Sequence, residues 1–213
     1  MRGAAPAEEN SPPVAEQMVL DGNFPTVKKP NPEIAEAFAL GVALAEEVGS
    51  DLVVATDPDA DRIGLAIKND KGEYIALSGN QIGALLIDHI IKIRKKNGCL
   101  PENACAIKSV VSSNLFDAIC EKNGVRHISV LTGFKYIGGE ILALEEIGEE
   151  KRFVFGFEES CGYLKGTYAR DKDAIVASML VCEMAASLKK QGKTILNALE
   201  DMYNKYGYYL AYV

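Results

Sequence analysis

Three aspartates at alternate positions, Asp57, Asp59 and Asp61, followed by Arg62, have the plainest chemistry in this sequence. They lie in Val53-Val54-Ala55-Thr56-Asp57-Pro58-Asp59-Ala60-Asp61-Arg62-Ile63-Gly64, between one apolar run of β type and another that extends to Ile67. Pro58 has no backbone N–H and pushes Asp57 out of the helical region, so the acids belong to a loop at a strand tip. Three carboxylates so close repel one another. A hard divalent cation, Mg²⁺ or Ca²⁺, is the usual means of holding such a group together. An EF-hand loop starting at Asp57 would need glycine at its sixth position and glutamate at its twelfth. Arg62 and Lys68 stand there, which rules that pattern out. A strand leading into Asp-x-Asp also suits an aspartyl-phosphate phosphatase with Asp57 as nucleophile, and these residues alone leave that reading open.

Three further polar stretches carry candidate ligand groups. Thr132-Gly133-Phe134-Lys135-Tyr136-Ile137-Gly138-Gly139 and Gly156-Phe157-Glu158-Glu159-Ser160-Cys161-Gly162-Tyr163 each follow a strand-like run. Taken singly, they suit a helix cap and an acidic loop. Taken together, they offer the carboxylate, hydroxyl and backbone N–H groups that grip sugar hydroxyls. Tyr168-Ala169-Arg170-Asp171-Lys172-Asp173 opens a helix, whose positive end with Arg170 and Lys172 would suit a phosphate.

The elements that must position these loops read as follows. Asn31, Pro32 and Glu33 start a helix that runs to Gly49. Strands follow at Asp51–Ala55, Ile63–Ile67 and Tyr74–Leu77, the last two joined by an Asn69-Asp70-Lys71-Gly72 hairpin turn. Ser78-Gly79-Asn80-Gln81 is a capping box that opens a helix ending in Lys92, Arg94, Lys95 and Lys96 before Gly98. From Ala104 the pattern alternates: strand 106–111, helix 113–122, strand 127–131, helix 137–147, strand 152–155, helix 173–190, then a helix 194–206 and a strand from Tyr208. Strand–helix alternation predicts an α/β fold with a mostly parallel sheet, whose ligands gather at the carboxyl ends of the strands. One helix and three strands are few for a complete first domain, so the chain is expected to begin inside a larger one.

Length and composition bound the reading. The 213 residues, 48% apolar and 25% charged, suit one large domain or two small ones. A net charge of −7 argues against a nucleic-acid or anionic-membrane partner. Neither a long apolar stretch nor a signal-peptide core occurs. Five cysteines without a C-x-x-C read as reduced thiols of a cytoplasmic protein, and the two histidines lack ligand spacing for zinc. Residues 1–17, rich in Ala, Pro and Glu, read as a disordered leader.

In order, Thr-Asp-Pro-Asp-Ala-Asp-Arg, Thr-Gly-Phe-Lys, Gly-Phe-Glu-Glu-Ser and Arg-Asp-Lys-Asp resemble the motifs of the α-D-phosphohexomutases, in their bacterial phosphoglucomutase/phosphomannomutase branch. The likeness covers about Gln17 to Tyr209. It implies a three-layer α/β/α sandwich preceded by part of a similar domain: residues 18–77 ending a second domain, 78–206 forming a third, and 207–213 starting a linker to a fourth. It implies that Asp57, Asp59 and Asp61 bind Mg²⁺ and that Arg62 lies beside the phosphate of a phosphoserine. Glu158 and Ser160 would hold sugar hydroxyls, with Thr132 and Gly133 in the loop that reads the sugar's orientation. Lys172 matches a position proposed as general acid/base, and Lys135 and Arg170 would be cleft contacts. The implied activity interconverts hexose 1- and 6-phosphates of glucose or mannose through a phosphoserine. The family's Thr-Ala-Ser-His-Asn-Pro serine loop and C-terminal Arg-x-Ser-Gly-Thr phosphate loop do not occur in these 213 residues. The chain is therefore expected to lack domains 1 and 4, to be inactive alone and to be open to self-association. A stand-alone sugar-phosphate or metal-binding module and an Asp57-dependent phosphatase are the alternatives.

Overall fold

The structure, a computed structural model, describes residues 11–210. Residues 1–10 of the expected leader and Ala211–Val213 of the expected last strand lie outside the described residues. The helix expected from Asn31 starts later. Asn31 does accept a backbone N–H, from Glu33 at 2.9 Å, but Ile34 is extended, so this is an isolated turn. A 3₁₀ turn, Ala35–Phe38, then leads into α1 (Ala39–Val48), which Gly49 ends at φ 71°.

An antiparallel meander follows: β1 (Leu52–Thr56), β2 (Ile63–Lys68) and β3 (Tyr74–Ala76), in that spatial order. Asn69 closes the β2–β3 turn by accepting N–H bonds from Lys71 and Glu73 through its side chain. Ile63 to Ile67 are buried throughout, whereas Leu52 to Ala55 of β1 are only half-buried.

The second segment begins at α2 (Gly79–Lys96), where Ser78 and Gln81 make the reciprocal capping box that their spacing predicts. Then come β4 (Cys105–Ser109), α3 (Leu115–Asn123), β5 (Arg126–Val130), α4 (Phe134–Glu146), β6 (Phe153–Glu158), β7 (Gly162–Leu164), α5 (Ala174–Lys189) and α6 (Ile195–Tyr206). The sheet order is β5-β4-β6-β7. The first three strands are parallel and β7 is antiparallel. The larger core cluster unites this sheet with α2, α3, α5 and α6. A smaller one, built on Ile107, Phe153 and Leu164, meets α4 on the opposite face. This is a three-layer α/β/α sandwich. Phe116, Phe155, Phe157 and Tyr163 fill its centre, each burial stabilising by roughly 1.5–3 kcal/mol. Ile63, Leu65 and Ile67 of β2 join the same cluster, so the two segments share a core.

Two readings are corrected here. Gly156 to Glu158 belong to β6 rather than to a loop, and Gly162–Leu164 pair back as a strand. Tyr208 to Leu210 form no strand. A groove of about 1320 Å³ runs between α1, β1, the segment Ser11–Leu20 and the flank of α5. No helix among the described residues is long and apolar enough to cross a membrane.

Candidate functional site

The acidic loop is shaped by Asp57 itself. Its Oδ1 accepts the backbone N–H groups of Asp61 at 3.1 Å and Arg62 at 3.0 Å, and its carbonyl accepts the Ala60 N–H at 3.1 Å. Ala60 takes the left-handed conformation, φ 57°, that lets the loop close so tightly. Asp57, Asp59 and Asp61 each present a carboxylate oxygen within 4.8 Å of the others, within reach of a single cation. At that separation each like-charge pair costs roughly 1–4 kcal/mol between water-like and protein-like dielectric. Burial pushes the Asp57 carboxyl above the ordinary range, against the pull of its backbone donors. Asp61 Oδ1 is buried and accepts no hydrogen bond, although Arg62 Nε lies 3.7 Å away. An oxygen in that condition suits a metal ligand. Arg62 also pairs with Glu33 at 3.1 Å, across from the loop.

The second segment meets this loop through its backbone. Ile63 N–H donates to the Cys161 carbonyl, Arg62 bridges Gly162, and Ala174 N–H at the start of α5 donates to the Ala60 carbonyl, each N–H bond 3.1 Å long. Asp173 caps α5 by accepting the Val176 N–H at 3.0 Å. Lys172, one residue earlier, crosses the face of β7 at Gly162, where a Cβ would stand 2.2 Å from its Cδ. Its Nζ pairs with Asp61 at 3.0 Å and Asp171 at 2.8 Å, and lies 5.5 Å from the Phe134 ring. Burial pulls the Lys172 ammonium down, but these two carboxylates prevail and hold it above its ordinary value.

At the ends of β5 and β6, Gly133 (φ 121°) donates its N–H to Glu158 Oε1 at 2.6 Å. A carboxylate beside the start of α4 is favoured by the helix dipole. Glu158 is only 6% exposed, and this burial raises its carboxyl above the usual range, against the Gly133 bond and Lys172. The native state therefore holds the Glu158 proton more tightly than the unfolded chain does. The stability it contributes falls as pH rises from the ordinary glutamate value towards the raised one. Glu158→Gln is expected to flatten that fall while keeping the Gly133 bond. Chemical unfolding of both proteins between pH 4 and 7 checks it, and identical pH profiles would contradict it.

Ser160 is half-buried in the β6–β7 turn, and Thr132 is exposed just before α4. Thus Asp57, Asp59, Asp61, Arg62 and Lys172 meet at one end of the molecule, with Glu158 and Gly133 paired beside them. Lys135 and Arg170 are turned to other partners. The Lys135 ammonium lies over the Tyr136 ring, 5.1 Å away, and Arg170 pairs with Glu145 and donates to the Thr167 carbonyl at 2.8 Å. Sequence reasoning overlooked Lys108, Ser109, Ser112 and the separate role of Glu159. Glu159 Oε2 accepts the Ser109 hydroxyl at 2.7 Å and the Ser112 hydroxyl at 2.8 Å, and Lys108 is wholly buried beneath them. A lysine inside the apolar run Cys-Ala-Ile-Lys-Ser-Val-Val was the available signal.

Residues 78–206 match a family model described as phosphoglucomutase/phosphomannomutase, alpha/beta/alpha domain III, over more than half of the chain. The chain belongs to the phosphoglucomutase/phosphomannomutase family. The model for domain II of the same family matches residues 7–72. Phosphoglucomutase from Staphylococcus epidermidis is 40% identical over 194 residues, 91% of this chain and 34% of the relative. The chain therefore spans about a third of the length of such relatives. A putative phosphomannomutase from Thermus thermophilus superposes with a TM-score of 0.65 at 24% identity, covering 84% of this chain and 36% of that one. N-acetylphosphoglucosamine mutase from Aspergillus fumigatus, crystallised with GlcNAc-6P and magnesium, superposes at 0.52 with 18% identity, covering 70% and 32%. Both share the fold of this member of the family.

Proposed function

We propose that this chain supplies the metal-holding and sugar-holding parts of a phosphohexomutase that interconverts the 1- and 6-phosphates of glucose or mannose. The observation that carries the reading is Lys172. It reaches across Gly162 to Asp61 and so brings a cationic group, an acidic triad and the Glu158–Gly133 pair to one sheet end.

In this proposal Asp57, Asp59 and Asp61 hold Mg²⁺, which supplies charge neutralisation for a phosphoryl oxygen. Arg62 faces the same phosphate. Lys172 holds or delivers a proton at the sugar oxygen that gains or loses the phosphoryl group. Glu158 and Ser160 bind sugar hydroxyls, Thr132 and Gly133 frame the sugar's orientation, and Lys135 and Arg170 line the rim. Catalysis of this kind rests on positioning and electrostatics. Residues 18–77 would complete a second domain and 78–206 form a third, with 207–213 leading to a fourth. Domains 1 and 4 would supply the phosphoserine and the far phosphate clamp. A cytoplasmic setting fits the unpaired cysteines.

A Mg²⁺ titration by calorimetry tests the site. Affinity for the isolated chain is expected to be weak, about millimolar, because three carboxylates leave the remaining positions to water. Asp61→Ala and Asp59→Ala are each expected to weaken it by at least about tenfold. Tight binding untouched by either change would contradict the proposal. Mutase turnover is expected only when the other domains are supplied. Phosphate release by the chain alone, abolished by Asp57→Asn, would favour the phosphatase reading instead.

A further inference from the structure

We infer that Ser109 and Ser112 are positioning residues that set the Glu158–Gly133 pair through Glu159, so that the end of β4 governs the sugar end of the site. The inference rests on the proposed function for its meaning, and on geometry for its substance.

Glu158 and Glu159 are adjacent, and their side chains go to opposite neighbours. Glu158 reaches the Gly133 N–H at the end of β5. Glu159 reaches back to the end of β4, where one oxygen, Oε2, accepts both hydroxyls. Those hydroxyls are 2.9 Å apart and both are buried. A carboxylate oxygen held by two buried donors is fixed in direction, since each charge-assisted bond adds its own constraint.

The serines are fixed in turn. Lys108 Nζ donates to the Ser112 carbonyl at 2.9 Å and to Asn114 Oδ1 at 3.0 Å, and pairs with Asp117 at 3.1 Å. Asn80 of α2 accepts the Ser113 N–H at 2.8 Å, and Val110 N–H donates to the Val130 carbonyl at 2.7 Å. The loop after β4 is thus fastened from its own strand, from α2 and from β5. Glu159 transmits that order to the residue next door.

The test is hydrogen exchange by NMR on the 213-residue chain. The amide of Gly133 reports the bond to Glu158 directly, and those of Ile107 and Ile119 report the core. Ser109→Ala/Ser112→Ala is expected to speed Gly133 exchange about tenfold, with Ile107 and Ile119 unchanged. Glu159→Gln, which keeps an acceptor for the hydroxyls, is expected to stay within about twofold of the parent. Unchanged Gly133 exchange in the double variant overturns the inference, as does a rise shared equally by the two core amides. If the double variant does not fold, Ser112→Ala alone is read by the same criteria. A parallel Mg²⁺ titration of the parent chain and Asp61→Ala separates the two claims. Equal affinity in the two refutes the proposed function, while the exchange result still decides the positioning.

Discussion

Lys108→Met is expected to lower the unfolding free energy by about 3 kcal/mol or more, a large share of a typical domain's stability. The Lys108 side chain is 1% exposed, and its ammonium serves four oxygens, those of the Ser112 and Ser113 carbonyls, Asn114 and Asp117. Methionine keeps the volume and leaves all four without that donor. Asp117 suffers most, because its Oδ1 already accepts no hydrogen bond and the group left beside it is the His127 ring, whose Nδ1 lies 3.4 Å away. Removing one partner of a buried pair costs more than removing both. Lys108→Met/Asp117→Leu is therefore expected to recover part of the loss. Urea unfolding followed by circular dichroism measures both proteins, and a loss below about 1 kcal/mol in the single variant would contradict this account.

Gly79→Ala is the second large effect. A Cβ at this first residue of α2 would stand 1.9 Å from the Glu159 carbonyl oxygen and 2.8 Å from the Cys161 nitrogen. Both are backbone atoms, so the obstruction cannot be relieved by a rotamer change. The β6–β7 turn must lift off the helix, and the Tyr163 hydroxyl loses its 2.9 Å bond to the Gly79 carbonyl. Overpacking of this kind costs about 1–3 kcal/mol and more where backbone must move. Gly139→Ala in α4 is the contrast. Nothing lies within 4 Å of its added Cβ, and alanine is the better helix former by about 0.5–1 kcal/mol. The two variants should shift the urea midpoint in opposite directions. Equal midpoints would show that the approach at Gly79 is looser than its geometry states.

Local chemistry was legible in the sequence wherever one residue acts on a near neighbour. The Ser78–Gln81 box, the Asn69 turn and the helix start at Asp173 all depend on partners within about five residues and were visible in spacing, and the loop at Asp57 was visible in Pro58. The alternation after Ala104 gave the parallel sheet for the same reason. What stayed hidden depends on contacts distant in sequence. Glu158 reads as a loop residue because a carboxylate interrupts an apolar run. It is accepted inside β6 because Gly133, 25 residues earlier, brings an N–H to it. Glu159 finds Ser109 from 50 residues away, which no local pattern encodes. The helix from Asn31 was misjudged for a different reason. The cap was real, but it closes a turn, and Ile34 leaves the helical region before the helix begins.

The seam between β2 and β7 also decides where this molecule can bend. Ile63 to Cys161, Arg62 to Gly162 and Ala174 to Ala60 are main-chain links between the two segments, and all fall within a few residues of the acid loop. They tie the backbone of the acid loop to the β6–β7 turn and to the start of α5, the helix that Lys172 precedes. These groups travel as one plate. Any breathing of the molecule must pivot somewhere beyond that plate, with the distances inside it preserved.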